Sequence, residues 1–160
     1  MLRDYRDDDA EAVAHVALAA FAEFEPHFSA DWPLFNANVA KMPLLARTGE
    51  IIVAEDDGRI VGAVTYVGPQ QPKPAFFEPA WPVIRMLVVD PAARSKGIGR
   101  QLTEECLRRA ERDQAGAIAL HTTPIMTVAL PMYRRMGFAR VGDAPDILGV
   151  PYAVYLKTLV

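Results

Sequence analysis

Residues 84–99, IRMLVVDPAARSKGIG, constrain this chain more than any other stretch. Met86 to Val89 is an unbroken apolar run rich in branched side chains, the pattern of a central strand covered on both faces. Pro91 ends it, because proline has no N–H to give to a ladder. From Ile98 the apolar residues recur at Leu102, Cys106 and Ala110, the spacing of one helix face, which puts Gly97 and Gly99 in the first turn. Glycine in a helix costs roughly 0.5–1 kcal/mol against alanine, so the pair calls for a reason other than helix stability. Arg94, Lys96 and Arg100 crowd a terminus whose dipole favours acids, and the first acid on the helix is Glu104. An anion held by free N–H groups and basic side chains reconciles both conflicts. The alternative is a solvated basic helix start with glycines that allow close packing.

Two other phosphate motifs are excluded by inspection. A dinucleotide fingerprint needs glycine where Leu102 stands, and no Lys-Ser or Lys-Thr pair closes a P-loop. What remains is R-x-x-G-x-G at Arg94, Gly97, Ile98 and Gly99, after a strand ending Val89-Asp90-Pro91. This resembles the acyl-CoA signature of the GNAT superfamily of N-acyltransferases. Downstream, Ala129, Tyr133, Gly137 and Phe138 are similar to the A-x-x-x-Y-x-x-x-G-F block of the same family. The resemblance implies an α/β (α+β) fold: a mixed, mostly antiparallel, twisted sheet of about six to seven strands flanked by about four helices.

At 160 residues the chain suits one domain, residues 1–160, expected to be a single acyl-CoA N-acyltransferase domain. Net charge −3 argues against a general nucleic-acid binder, which needs a basic field. No apolar run reaches bilayer length and the start MLRDYRDDD lacks a signal-peptide core, so no membrane partner and a cytoplasmic location are expected. The single cysteine, Cys106, lies on the apolar helix face and reads as core. A homodimer is a further expectation left open.

Along the chain, Met1–Tyr5 reads as a short strand and residues 10–24 as an apolar-faced helix capped by acids. A second helix is expected from Asp31 to near Gly49, then two strands around the hairpin signal Asp57-Gly58. Residues 68–82 carry prolines at 69, 72, 74, 79 and 82 and form a stiffened loop. Phe76, Phe77 and Trp81 give that loop an apolar surface suited to an acceptor pocket or to plain packing. After the glycine-led helix, closed by Arg108, Arg109 and Arg112 and capped at Gly116, come a strand at 117–122, a helix at 126–136 and two final strands.

The resemblance implies acetyl or short-acyl transfer from acetyl-CoA to a primary amine in a ternary complex, with no metal. It implies that Leu87, Val88 and Val89 meet the pantetheine arm and the acyl oxyanion, and that Arg94, Ser95, Lys96, Gly97, Ile98, Gly99 and Arg100 hold the pyrophosphate. Met126 occupies a cofactor-contacting position where many members carry asparagine, and Tyr133 matches the general-acid tyrosine. Pro131 is expected to interrupt the helix just before Tyr133. Glu78, Glu25 and His121 are candidate bases, and the three histidines show no metal-ligand spacing. Arg85, where several members carry an acid, cannot be a base; strand alternation places it with Leu87 and Val89, and it is a candidate partner for a carboxylate on the acceptor. The acceptor is expected to be a small-molecule amine. The rival function is a non-catalytic acyl-CoA sensor, which needs the glycine loop but not Tyr133.

Overall fold

The computed structural model describes residues 1–159. Its seven strands are β1 (Leu2–Asp4), β2 (Glu50–Asp56), β3 (Arg59–Val67), β4 (Val83–Val89), β5 (Ala117–Thr122), β6 (Ala139–Ile147) and β7 (Val150–Thr158). Four α-helices connect them: α1 (Ala10–Phe21), α2 (Trp32–Val39), α3 (Ile98–Arg112) and α4 (Ala129–Arg135). The strand order is β1-β2-β3-β4-β5-β7-β6, antiparallel except at β4–β5. The mostly antiparallel sheet with helices on it is the architecture expected.

Local chemistry sets the joins. Asp57 and Gly58 both take positive φ (53° and 73°), as a two-residue hairpin turn between right-twisted strands requires. The second helix stops at Val39, short of the expected end. Pro43 then opens a separate three-ten turn over Met42–Arg47, since its ring has no N–H to continue the α-helical ladder. α3 is also capped earlier than expected. Gln114, at φ 57°, takes the left-handed position, and the Ala115 N–H closes back on the Ala110 carbonyl, so Gly116 is not the cap. From α3's last turn, Arg109 spans Asp4 (2.6 Å), Glu50 (2.7 Å) and Glu105 (2.9 Å), tying the helix to the first two strands.

Each sheet face has its own apolar core. On one, Val13, Val16, Ala17 and Ala20 of α1 and Phe35 and Val39 of α2 pack on Val53, Ala63, Val67, Val83, Val88 and Ala119. On the other, Leu102, Cys106 and Ala110 of α3 and Leu130 and Tyr133 of α4 pack on Ile52, Val64, Tyr66, Ile84, Ile118 and Leu120. At roughly 25 cal/mol per Å² of apolar area removed from water, both faces are strongly committed, and a helix cannot exchange sides. Gly62 of β3 permits the closest approach: a Cβ there would stand 3.0 Å from Ile98 Cγ2 and 3.2 Å from Leu102 Cδ1. That absent side chain lets the start of α3 settle on the strand.

Candidate active site

The sheet's one parallel pairing is short. β4 and β5 share a single register pair, Val83 with Ala119, sealed by the Ala119 N–H to the Pro82 carbonyl at 3.0 Å. Beyond it the two strands part. β4 also bulges: Ala63 pairs Val88 and Thr65 pairs Arg85, so two steps on β3 face three on β4. Met86 absorbs the extra residue at φ 56°, a left-handed conformation that costs a non-glycine residue roughly 1–2 kcal/mol.

The bulge decides which side chain faces where. Leu87 and Val89 pack with the α3 face, whereas Val83, Met86 and Val88 pack with the α1 face. Arg85 pairs across the ladder with Thr65, whose neighbours Val64 and Tyr66 belong to the α3 face, so Thr65 and Arg85 lie on the α1 side. Simple alternation had grouped Arg85 with Leu87 and Val89; the bulge separates them. The backbone is sorted as well. The Asp90 N–H bonds the Val61 carbonyl at 2.8 Å, which commits Val88 to the hydrogen-bonded register with Ala63 and turns the N–H and C=O of Val89 toward the gap. Val88, wholly buried under α1, thus presents neither side chain nor backbone to the gap.

At the far end of β4 the chain enters the glycine loop. Asp90 accepts from the Ala92 N–H at 2.9 Å and closes the turn around Pro91. Ser95 (φ 68°) and Gly97 (φ 77°) are both left-handed, and nothing lies within 4 Å of where a Gly97 Cβ would be. Among the described residues no side chain caps the start of α3. Its first intrahelical bond is Gln101 to the Gly97 carbonyl at 3.0 Å, so the N–H groups of Ile98, Gly99 and Arg100 are left for an outside acceptor. A Cβ on Gly99 would sit 3.7–3.9 Å from Val89, Leu87 and Met132, so this glycine is the floor where β4, α3 and α4 meet.

The basic side chains around the loop differ in freedom. Arg94 reaches away from it, pairing with Glu23 and donating to the Ala20 carbonyl at the end of α1. Its side chain anchors the loop to α1. Lys96 (3.5 Å from Asp56) and Arg100 (3.8 Å from Glu104) are exposed and loosely paired. Such surface pairs are worth at most about 1 kcal/mol, so both remain available to an anion.

Tyr133 is placed by the end of α4. The Phe138 N–H bonds the Tyr133 carbonyl at 3.0 Å across Gly137, which sits at φ 99°, and the rings of Tyr133 and Phe138 meet edge to face at 5.7 Å. This is a left-handed helix cap with its apolar clasp, which explains the Tyr-x-x-x-Gly-Phe spacing without reference to any relative. Pro131 does not interrupt the helix: α4 begins at Ala129, and in the first turn a missing N–H is harmless. Tyr133 is buried on the α3 face beside Cys106, and burial holds its hydroxyl pKa well above the usual phenol value. Met126, half-buried, lies in the turn before α4, its N–H on the Thr123 carbonyl.

On the α1 face the gap is lined differently. His121 lies among Phe76 (5.1 Å between centroids), Tyr152 (5.3 Å) and Phe77 (5.7 Å). Burial and the Arg85 charge push its pKa down to about 4, so it is neutral near pH 7. Arg85 is partly buried, and among the described residues no carboxylate or carbonyl pairs with it. Glu78 and Glu25 are both exposed, and among the described residues no side-chain hydrogen bond or ion pair orients either. Sequence reasoning missed Gly62, Thr65 and Tyr152. Gly62 left one trace, a glycine inside the apolar run of β3, whereas the other two depend on register. A cleft of about 580 Å³ between residues 46–50, 66–71 and Arg112-Asp113 lies at the opposite end of α3 and shares none of these groups.

The chain as a whole has relatives among known proteins. The model of the acetyltransferase (GNAT) family matches residues 10–138. The chain belongs to the GNAT acetyltransferase family. Family relatives include the mycothiol acetyltransferase of Cellulomonas flavigena, 34% identical over 62% of this chain and 29% of that protein. The chain thus spans under a third of that relative's length. The N-alpha-acetyltransferase RimI of Mycobacterium tuberculosis is 29% identical over 84% of this chain and 75% of its own. Among solved structures, a histone acetyltransferase HPA2 and related acetyltransferase from Corynebacterium glutamicum aligns with TM-score 0.71 at 25% identity, over 100% of this chain and 96% of that one. The PaiA N-acetyltransferase of Thermoplasma acidophilum, in complex with coenzyme A, aligns with TM-score 0.72 at 14% identity, over 99% and 98%. Among the described residues no helix is long and apolar enough to cross a membrane.

Proposed function

We propose that this GNAT domain transfers the acetyl group of acetyl-CoA to the primary amine of a small molecule, both substrates being bound together. The observation that carries this reading is the convergence of an uncapped, glycine-led helix start and a parted β4–β5 pair under the same buried tyrosine. The open space at Gly97 and the free N–H groups of α3 fit a diphosphate, with Ser95, Lys96 and Arg100 around it. The backbone of Leu87 and Val89 edges the gap and suits the amide-bearing pantetheine arm, and Met126 would flank it.

The donor supplies an activated thioester carbonyl. The Val89 N–H, fixed in a rigid strand and aimed into the gap, is suited to the charge that grows on the carbonyl oxygen as the amine attacks, at no reorganisation cost. As the C–S bond breaks, the sulfur calls for a proton or a hydrogen bond, and we assign that role to Tyr133. Free phenol (about 10) lies above free thiol (about 8.5), so full transfer is uphill by roughly 2 kcal/mol, and burial makes the phenolate costlier still. Tyr133 therefore acts as a hydrogen-bond donor to the departing sulfur more than as a full acid. The amine, in turn, gives up its proton to water, since an imidazole held down at about 4 is a weak acceptor for it.

The relatives' names point to different acceptors, mycothiol in one and an N-alpha position in the other. A small molecule is favoured here because Phe77 and Trp81 fold the loop 68–82 onto the α1-side core, narrowing that approach. Thermal denaturation with acetyl-CoA, CoA, ATP and NAD tests the donor. A ligand at a hundredfold excess over its Kd stabilises by about 2.7 kcal/mol, and only the CoA species should do so. Thiol release on adding small amines tests the transfer. Protection without release by any amine would favour the sensor instead.

A further inference from the structure

Arg85 and His121 stand level with each other. Each lies two residues past the one register pair of β4 and β5, Val83 with Ala119, and therefore on the same face, one on each lip of the opening gap. That face is the α1 side, opposite the α3 helix start. Arg85 and Val89 pair with Thr65 and Gly62, three strand steps or about 10 Å apart, before the glycine loop even begins. The diphosphate of the donor is thus out of reach of Arg85.

A guanidinium does not deprotonate, so its charge persists through burial and calls for an anion. Arg85 has none among the described residues, although twelve other cation–carboxylate pairings are formed elsewhere. Among the described residues two side-chain polar atoms are buried without partners, Thr65 Oγ1 and His121 Nδ1, and they belong to the residues flanking Arg85 across β3 and β5. A cation with no carboxylate among the described residues, set between two orphaned polar atoms, is suited to a polar group from outside the chain. Phe76, Phe77 and Tyr152 around His121 make the wall beside it apolar.

We infer that the acceptor is a small aminocarboxylate, such as a free amino acid with an apolar body, whose carboxylate pairs with Arg85 while its body lies against Phe76 and Tyr152. This rests on the acetyl-transfer reading and narrows its substrate class. Arg85 is then the specificity-determining residue, and the amine, one or a few carbons from the carboxylate, lies at the mouth of the gap. His121, neutral and adjacent, does not compete for the anion.

The test compares proteinogenic amino acids with their carboxamides as acceptors, at fixed acetyl-CoA, by thiol release. Removing the acceptor's charge while keeping its amine should lower kcat/KM at least about tenfold for the best amino acid, the worth of one buried ionic hydrogen bond. Arg85→Met should erase that preference by raising KM for the acid alone, while calorimetry gives an unchanged acetyl-CoA Kd. Arg85→Lys should restore part of it. Equal use of acid and amide by the unaltered protein overturns the inference, as does a preference that survives Arg85→Met. So does thiol release with no aminocarboxylate despite bound acetyl-CoA, or a dicarboxylic acyl-CoA whose transfer to plain amines depends on Arg85. Failure to bind acetyl-CoA at all would sink the underlying reading instead.

Discussion

The two mouths of the β4–β5 gap are built by opposite means. On the α3 side the proposed donor cradle consists mainly of backbone: a helix start, a left-handed glycine and the outward edge of Val89. On the α1 side the proposed acceptor pocket consists of side chains, Arg85, His121, Phe76 and Tyr152, brought together from two strands, a loop and β7. A backbone site tolerates change wherever the chain keeps its path, and is lost where glycine is lost. A side-chain site can be re-specified one residue at a time. One fold can therefore keep its donor while its acceptor varies.

The sharpest break comes from Gly97→Glu. The site is open, so packing survives apart from about 1 kcal/mol of left-handed strain. A carboxylate set against a diphosphate should still weaken acetyl-CoA about 100-fold or more in a titration. Tyr133→Phe keeps the ring against Phe138 and should lower turnover about 10- to 1000-fold with donor affinity unchanged. An unaltered rate in a limiting chemical step removes Tyr133 from the mechanism. Gly99→Ala should be milder, since its methyl meets its neighbours at ordinary contact distance; a fewfold loss of donor affinity is expected, with acceptor KM unmoved.

On the acceptor side the effects are read in stability. The folded state holds His121 down at about 4 against about 6.5 unfolded, so below pH 6.5 the unfolded chain binds the extra proton and stability falls with pH. The loss is complete near pH 4 and on the order of 3 kcal/mol. His121→Phe should flatten this part of the pH–stability curve relative to the parent, as followed by urea midpoints. Parallel curves would mean that the imidazole titrates freely in the fold. Arg85→Met removes a desolvated, unpaired charge and should raise stability by roughly 1 kcal/mol, a few degrees in melting temperature; a lower one would imply a partner for the guanidinium.

How far each mouth was legible follows from the same contrast. The cradle's residues are contiguous, and Gly97, Gly99 and their basic neighbours violate local helix rules, which leaves a visible signature in one stretch of chain. Tyr133 was equally legible, because its position follows from a short-range cap at Gly137 and Phe138. Alternation, in contrast, put Arg85 on the wrong face, since a bulge at Met86 carries no glycine to announce it. The separation of Val88 from Val89, the anchoring of Arg94 on Glu23 and the harmless placing of Pro131 all depend on where elements start or pair.

The sequence by itself determined the strand–glycine loop–helix unit, the hairpin at Asp57-Gly58 and the capped tyrosine. Each is governed by interactions within a few residues, where backbone sterics and missing N–H groups act alone. Only the tertiary structure decided which face Arg85 occupies and that it stands beside His121 without a counter-ion among the described residues. Register and strand divergence come from packing two cores on one twisted sheet, and a single added residue in β4 reverses every side chain before it.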